Sequence, residues 1–210
     1  MYLPAHFKEE RPEVILPFIR EHPLGVLVTV EEGVANANHL PWLYEQQTLQ
    51  AHIPKFNPLY QLLLEKTSME VLVIFQGPQA YVTPSWYPTK KQTGKVVPTW
   101  NYSVVHMRGI LGLQEDKSWI RAHLDKITNW HEATRDSDWE VSDAPTEYTD
   151  TMIGMLSGLE LKITSMIGKF KLSQNRQEID RLAVIDHLGA SSQEDDVKVA
   201  ELAKKVREKP

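Results

Sequence analysis

The chain has 210 residues, 23 basic and 28 acidic, for a net charge of −5. That length is enough to bury a sizeable core without covalent staples, and the absence of cysteine excludes disulfide frameworks, iron–sulfur clusters and thiolate zinc sites. The negative balance also weighs against non-specific nucleic-acid binding, which usually needs a basic excess or a basic stripe. Met1 to Lys8 has no apolar signal core, and no apolar run approaches the length of a membrane span, so a soluble cytoplasmic protein is expected.

The first predicted element is a helix over Glu9 to Glu21, with Pro12 in its first turn and Val14, Ile15, Phe18 and Ile19 as its apolar face. Pro17 is a defect that could divide it. Three strands follow, at Leu24 to Val30, Val34 to Tyr44 and Leu49 to Ile53, the first two joined by a tight turn at Glu31-Glu32-Gly33. Asn57-Pro58 pairs an N-cap residue with proline at the first helical position and starts a helix that runs to Lys66. Val71 to Phe75 and Ala80 to Thr83 read as strands hairpinned through Gly77-Pro78. After an irregular segment over residues 84–95, Val96 to Leu113 is one long β stretch, kinked at Pro98 or Gly109.

The second half is richer in helix. Ser118 to Arg135 carries Ile120, Leu124 and Ile127 near helical spacing, and Asp143 or Thr146 caps another helix that reaches Leu156. Leu159 to Ser165 alternates as a half-buried strand, and Gly168 to Leu172 is the last strand expected. From Asn175 the chain reads as helical, broken at Gly189 to Ser192. The expected division is a domain over residues 1–174 with inserted helices and a helical extension over 175–210. About eight strands joined mostly by short turns favour an α+β fold with an antiparallel sheet or barrel over a doubly wound parallel sheet. No Gly-x-Gly-x-x-Gly or phosphate-loop pattern follows any strand.

Chemistry concentrates in a few places. Residues 75–101 hold Tyr81, Trp86, Tyr87 and Trp100 between Pro78, Pro84, Pro88 and Pro98, with Gln76, Ser85 and Asn101 among them. Large rings fixed by prolines suit either a packed loop or a surface that holds a flat molecule. The segment from Gln50 to Pro58 joins a strand to a helix start. There Lys55, His52 and the N–H groups near Asn57 could receive a phosphate, although a solvated lysine beside an ordinary cap fits the same residues. Asn36 and Asn38 share one face of their strand, with His39 on the other; that amide-bearing face is either wet or meets a polar ligand. His123 and His131 are eight residues apart, too far to share a metal across adjacent turns, and no nucleophile elbow or paired acid and base is present. The last two helices could imitate a helix-turn-helix, but the second opens with Glu194-Asp195-Asp196, which phosphates would repel; a helical hairpin or a partner-binding arm is expected instead.

Longer blocks carry a family resemblance. They are Met1-Tyr-Leu-Pro-Ala-His-Phe, Pro23-Leu-Gly-Val-Leu-Val-Thr, Ala37-Asn-His-Leu-Pro, Ala51-His-Ile-Pro-Lys-Phe-Asn-Pro, Val73-Ile-Phe-Gln-Gly-Pro-Gln-Ala-Tyr-Val-Thr-Pro-Ser-Trp-Tyr-Pro, Gly94-Lys-Val-Val-Pro-Thr-Trp-Asn-Tyr, Val141-Ser-Asp-Ala-Pro and Gly168-Lys-Phe-Lys-Leu-Ser-Gln-Asn-Arg. With them the chain resembles the PaiB-like family of FMN-binding negative transcriptional regulators, associated with control of protease synthesis and sporulation. Phe170 and Lys55 stand where the family would carry tryptophan and commonly arginine.

The resemblance implies an FMN-binding split β-barrel with peripheral helices and a C-terminal helical arm, a homodimer, and FMN as cofactor. It puts the flavin phosphate at Lys55, His52 and Asn57, and the ring end at Asn38, Gln76, Trp86 and Trp100. Lys171, Ser173, Gln174 and Asn175 would close the site, and His39, Ser85 and Asn101 complete the cofactor set. It leaves two readings of function: a repressor whose DNA contact neither charge nor motif supports, or an FMN-dependent oxidoreductase acting on a small substrate. A split-barrel haem binder using His39, His52 or His106 ranks below both.

Overall fold

Gly25, Leu27 and Thr29 are buried while Leu24, Val26, Val28 and Val30 turn to the more open side, the two-residue period of a strand. In the computed structural model, which describes residues 1–135 and 137–207, this segment is one of eight strands among the described residues. They are β1 (Lys8–Glu9), β2 (Leu24–Glu31), β3 (Val34–Pro41), β4 (Leu43–Glu45), β5 (Thr48–Pro54), β6 (Ser68–Val82), β7 (Thr99–Gln114) and β8 (Leu156–Lys171). The helices are α1 (Pro12–Glu21), α2 (Pro58–Lys66), α3 (Lys90–Thr93), α4 (Lys117–Glu132), α5 (Thr146–Gly154), α6 (Glu178–Gly189) and α7 (Glu194–Arg207). The sheet is antiparallel, in the order β3-β2-β6-β7-β8-β5-β4 with β1 on β8, so the α+β expectation holds. The chain divides into two compact units: Met1–His22, Phe75–His106 and the residues from Ile167 onward form unit 1, and Pro23–Ile74 with Met107–Met166 form unit 2. β6, β7 and β8 each contribute one part to either unit.

In unit 2, β2 and β3 pair from Leu24↔Pro41 to Glu31↔Val34. Their turn needs positive φ at both central residues; Gly33 at 82° meets this freely and Glu32 at 48° accepts it. The run expected as one strand from Val34 to Tyr44 is two, divided at Trp42, where the pairing with β2 ends. The Trp42 N–H donates to the Pro23 carbonyl at 2.9 Å and its ring is buried. Leu27, Leu49, Ala51, Ile53, Leu63, Val73, Leu111, Leu159 and Leu161 form the core. Gly109 lies within β7, where a Cβ would stand 2.2 Å from the Lys162 carbonyl oxygen, so its role is close approach of β8.

In unit 1 the first helix starts at Pro12, three residues after the expected Glu9. Glu9 is instead in β1, buried, with its carboxylate accepting from Arg11 Nε and Nη2, both at 3.0 Å. Arg11, held extended before proline, is the N-cap. Pro17 does not divide the helix. Glu13 and Pro17 are both exposed, so the carbonyl that loses its donor belongs to a residue on the solvent side of the helix. The hairpin expected at Gly77-Pro78 is absent: β6 runs 15 residues straight through. The glycine answers a different need, since a Cβ there would lie 2.4 Å from the Phe18 ring. The two segments expected over Leu159–Ser165 and Gly168–Leu172 likewise fuse into β8, with neither proline nor a turn residue between them. α6 and α7 form the expected helical hairpin, tied by Arg181 Nη2 donating to the Ala203 carbonyl at 3.1 Å.

Candidate functional site

The corner where β5 meets α2 lies in unit 2. Asn57 is extended and caps α2: its Oδ1 accepts from the Leu59 N–H at 3.0 Å, and its Nδ2 donates to Asn38 Oδ1 at 3.0 Å. Asn36 and Asn38 face a cavity of about 220 Å³ between β2, β3 and α2, lined also by Thr29, Glu31, Asn57, Leu59 and Leu62. The amide-bearing face is therefore open to a polar space. The free N–H groups expected near Asn57 are a correction, because the chain uses them itself. The Asn57 N–H donates to the Pro54 carbonyl, that of Tyr60 to the Asn57 carbonyl and that of Lys55 to the Met155 carbonyl, each at 2.9 Å. Proline at position 58 has none.

Lys55 is the cation of this corner. Its Nζ stands 3.4 Å from Glu115, a carboxylate that also accepts from the Tyr60 hydroxyl at 3.2 Å and from the Ser157 hydroxyl. Phe56 beside it is 86% exposed. An anion at Lys55 meets an ammonium three residues before the positive end of α2, with Asn57 between; the cavity that Asn57 lines with Asn38 also carries the Glu31 carboxylate. That donor set fits a phosphate through side chains rather than through backbone N–H groups.

His52 turns the other way. Its Nδ1 lies 3.2 Å from Nε2 of His123 on α4, whose ring stacks on Trp119 at 5.4 Å between centroids and 12° between planes. His123 is 1% exposed and its Nδ1 has no partner. Burial, then the neighbouring His52 and Lys126, push the His123 imidazole down to about 4, and burial lowers His52 as well. His39, on the opposite face of β3 from Asn38, is exposed and pairs across to Val26.

The other predicted residues lie in unit 1. Gln76, Ser85 and Asn175 are exposed; the Ser85 N–H donates to Thr83 Oγ1 at 3.3 Å, and Asn175 edges a second cavity with Lys95 and Arg176. Trp86 stacks on His187 of α6 at 5.2 Å. Trp100 is 53% exposed and meets Tyr81 edge-on at 5.9 Å. Asn101 is buried and exchanges hydrogen bonds with the Ser173 hydroxyl at 3.0 and 3.1 Å. Gln174 folds onto its own backbone, accepting from the Leu172 N–H at 2.6 Å and donating to the Phe170 carbonyl. Asn101, Ser173 and Gln174 thus have their hydrogen bonds met inside the chain. Trp100, Gln76, Ser85 and Asn175 present themselves to solvent. Lys171 is half-buried and donates to the Thr99 hydroxyl and the Trp100 carbonyl.

Sequence reasoning missed Glu115, His123, Lys169 and Tyr102. The four-residue interval between Trp119 and His123 on one helical face, and the two-residue interval between Lys169 and Lys171 on one strand face, were the available signals. Glu115 left none, since its link to Lys55 is purely tertiary.

An antiparallel sheet with inserted helices suits a split β-barrel protein. A family profile described as "Putative FMN-binding domain" matches residues 1–165. Protease synthase and sporulation protein PAI 2 of Bacillus subtilis is 32% identical over 206 residues, covering 96% of each chain. Two solved structures share the fold. An FAD and heme binding protein from Mycobacterium smegmatis aligns at TM-score 0.63 and 15% identity, over 84% of this chain and 79% of that one. The flavocytochrome Anf3 from Azotobacter vinelandii aligns at 0.57 and 13%, over 94% and 78%. The chain belongs to the FMN-binding domain family, whose cofactor is FMN.

Proposed function

We propose that the protein is a cytoplasmic FMN-binding homodimer that acts as a negative regulator of transcription, in the protease-synthesis and sporulation role suggested by its likeness to the Bacillus relative. The observation that carries the cofactor part is the β5–α2 corner. There Lys55 offers an ammonium beside Asn57 and Asn38 and above the positive end of α2. Lys55 holds the phosphate after exchanging Glu115 for it, and Asn57 and Asn38 orient it. FMN when bound supplies one- and two-electron transfer.

The dimer reading is supported by the outer face of the β2–β3 hairpin. Leu24 and Val30 are exposed there, and Val26, Val28, Ala35 and Ala37 continue the strip, with His39 among them. Such a strip on a sheet face suits a self-complementary contact. Light scattering on the purified protein tests it, and a monomer at micromolar concentration refutes it. The cysteine-free sequence suits a reducing cytoplasm, and among the described residues no helix is long and apolar enough to cross a membrane.

One observation favours a second reading, an FMN-dependent oxidoreductase of a small substrate. α7 carries Glu194, Asp195 and Asp196 in its first turn, where a DNA-reading helix would meet phosphates. The absorbance of the purified protein, followed by FMN titration, tests the cofactor: uptake with bands in the blue supports it, and no uptake at micromolar flavin refutes it. Gel shift against the operator region, set beside NAD(P)H oxidation by the loaded protein, then separates regulator from enzyme.

A further inference from the structure

Lys169 and Lys171 stand two residues apart on β8, so both side chains leave the same face of the strand. Tyr102, on the neighbouring strand β7, serves both: its ring centroid is 5.4 Å from Lys169 Nζ and 6.0 Å from Lys171 Nζ. Lys169 is only 8% exposed; its ammonium lies 5.5 Å from the Tyr2 ring centroid as well and, among the described residues, donates to the Tyr2 carbonyl alone, at 3.1 Å. Lys171 likewise donates to the Trp100 carbonyl and the Thr99 hydroxyl. Among the described residues no carboxylate lies within 4.0 Å of either ammonium.

A buried ammonium without a counter-charge is costly, and a second one beside it adds repulsion. The Lys171 amine is lowered first by burial and then by Lys169 and Arg176, so three cations act on one place with no acid among the causes. Arg176 is fixed in turn, its guanidinium 4.9 Å from the ring centroid of buried Tyr87. The same face of β7 carries Trp100, two residues before Tyr102, with Tyr81 against its edge. Positive charge at short range beside exposed flat rings is the complement of a molecule that is itself flat and negatively charged.

We propose that Lys169 and Lys171, with Tyr102 between them and Trp100 alongside, form a binding site for a small planar organic carboxylate. The carboxylate oxygens take the N–H bonds that the two ammoniums do not spend on carbonyls, and the ring of the ligand lies against Trp100. All of these groups belong to unit 1, and the site is argued without the flavin. The competing source of the same charge is the phosphate of FMN.

Calorimetric titration with benzoate, and separately with inorganic phosphate, tests the proposal on flavin-free protein and on protein saturated with FMN. Benzoate is expected to bind both preparations, more tightly than phosphate, and more weakly as salt rises. Lys171→Gln and Lys169→Met should each weaken it by about tenfold or more, the loss of one charge-assisted hydrogen bond. Lys91→Gln, in exposed α3, should leave it unchanged. If Lys169→Met does not fold, Lys171→Gln still decides. The proposal is overturned by no binding at roughly 10 mM benzoate, by binding that ignores both substitutions, or by mole-for-mole displacement of benzoate by FMN, which would give the cations to the flavin phosphate. A protein that takes benzoate but no FMN upholds this site and removes the cofactor assignment instead.

Discussion

His123 should make the protein acid-sensitive above the range where its carboxylates titrate. The imidazole has an ordinary value of 6.5 in the unfolded chain and about 4 when folded, through burial first and the neighbouring His52 and Lys126 after it. Between those values the unfolded chain binds a proton that the folded chain refuses. The stability is therefore complete above pH 6.5, is lost as pH falls toward 4, and is not reduced further by this group below that. Each pH unit in the window costs about 1.4 kcal/mol, which amounts to roughly 2 kcal/mol between pH 7 and 5 and roughly 3 kcal/mol by pH 4. His123→Leu removes the titration and keeps an apolar neighbour for Trp119. Urea unfolding of both proteins at pH 7, 6 and 5 gives the comparison. The variant should lose about 2 kcal/mol less than the parent across that range, a difference of about 1 M in midpoint for a chain of this size. Parallel loss in the two proteins would refute the assignment of a neutral, desolvated imidazole at this position.

Lys55→Ala should weaken FMN binding by about tenfold or more, read by flavin fluorescence quenching; an unchanged affinity removes Lys55 from the site. Asp180→Ala takes away the acceptor of the Thr89 N–H at 3.1 Å and of its hydroxyl at 2.6 Å, all buried. It should cost about 2–4 kcal/mol and open residues 87–95 to protease, and a parent-like cleavage pattern contradicts that. Gly109→Ala brings a Cβ against the Lys162 carbonyl at 2.2 Å, a backbone atom that cannot step aside. A loss of about 3 kcal/mol or more is expected, with a chemical-denaturation midpoint equal to the parent as the contrary result.

Much of the architecture was legible because it is local. The cap at Asn57-Pro58, the hairpin at Glu32-Gly33 and the alternation of β2 follow from neighbouring residues alone. Gly77-Pro78 misled because the same dipeptide serves a turn and a crowded strand, and only the Phe18 ring separates the two. Trp42 misled for the converse reason: nothing beside it in sequence announces that the pairing with β2 ends there, on a last bond from its N–H to the Pro23 carbonyl. At the candidate site, the residue types were visible and their states were not. Lys55 reads as a free cation until Glu115 is found beside it, and His52 reads as a donor until His123 takes up its Nδ1. Asn101 and Ser173 are 72 positions apart, so their mutual bond has no local trace.

The aromatic segment is fastened from far downstream. Thr89 hangs on Asp180 and Trp86 lies on His187, both in α6 and beyond residue 165, where the family profile ends although the likeness to the Bacillus relative covers 96% of the chain. A chain cut at the end of that profile would lose the segment's fastenings. Segment and arm are thus one structural piece, and a chimera that takes one without the other has to rebuild the contacts of Thr89 with Asp180 and of Trp86 with His187.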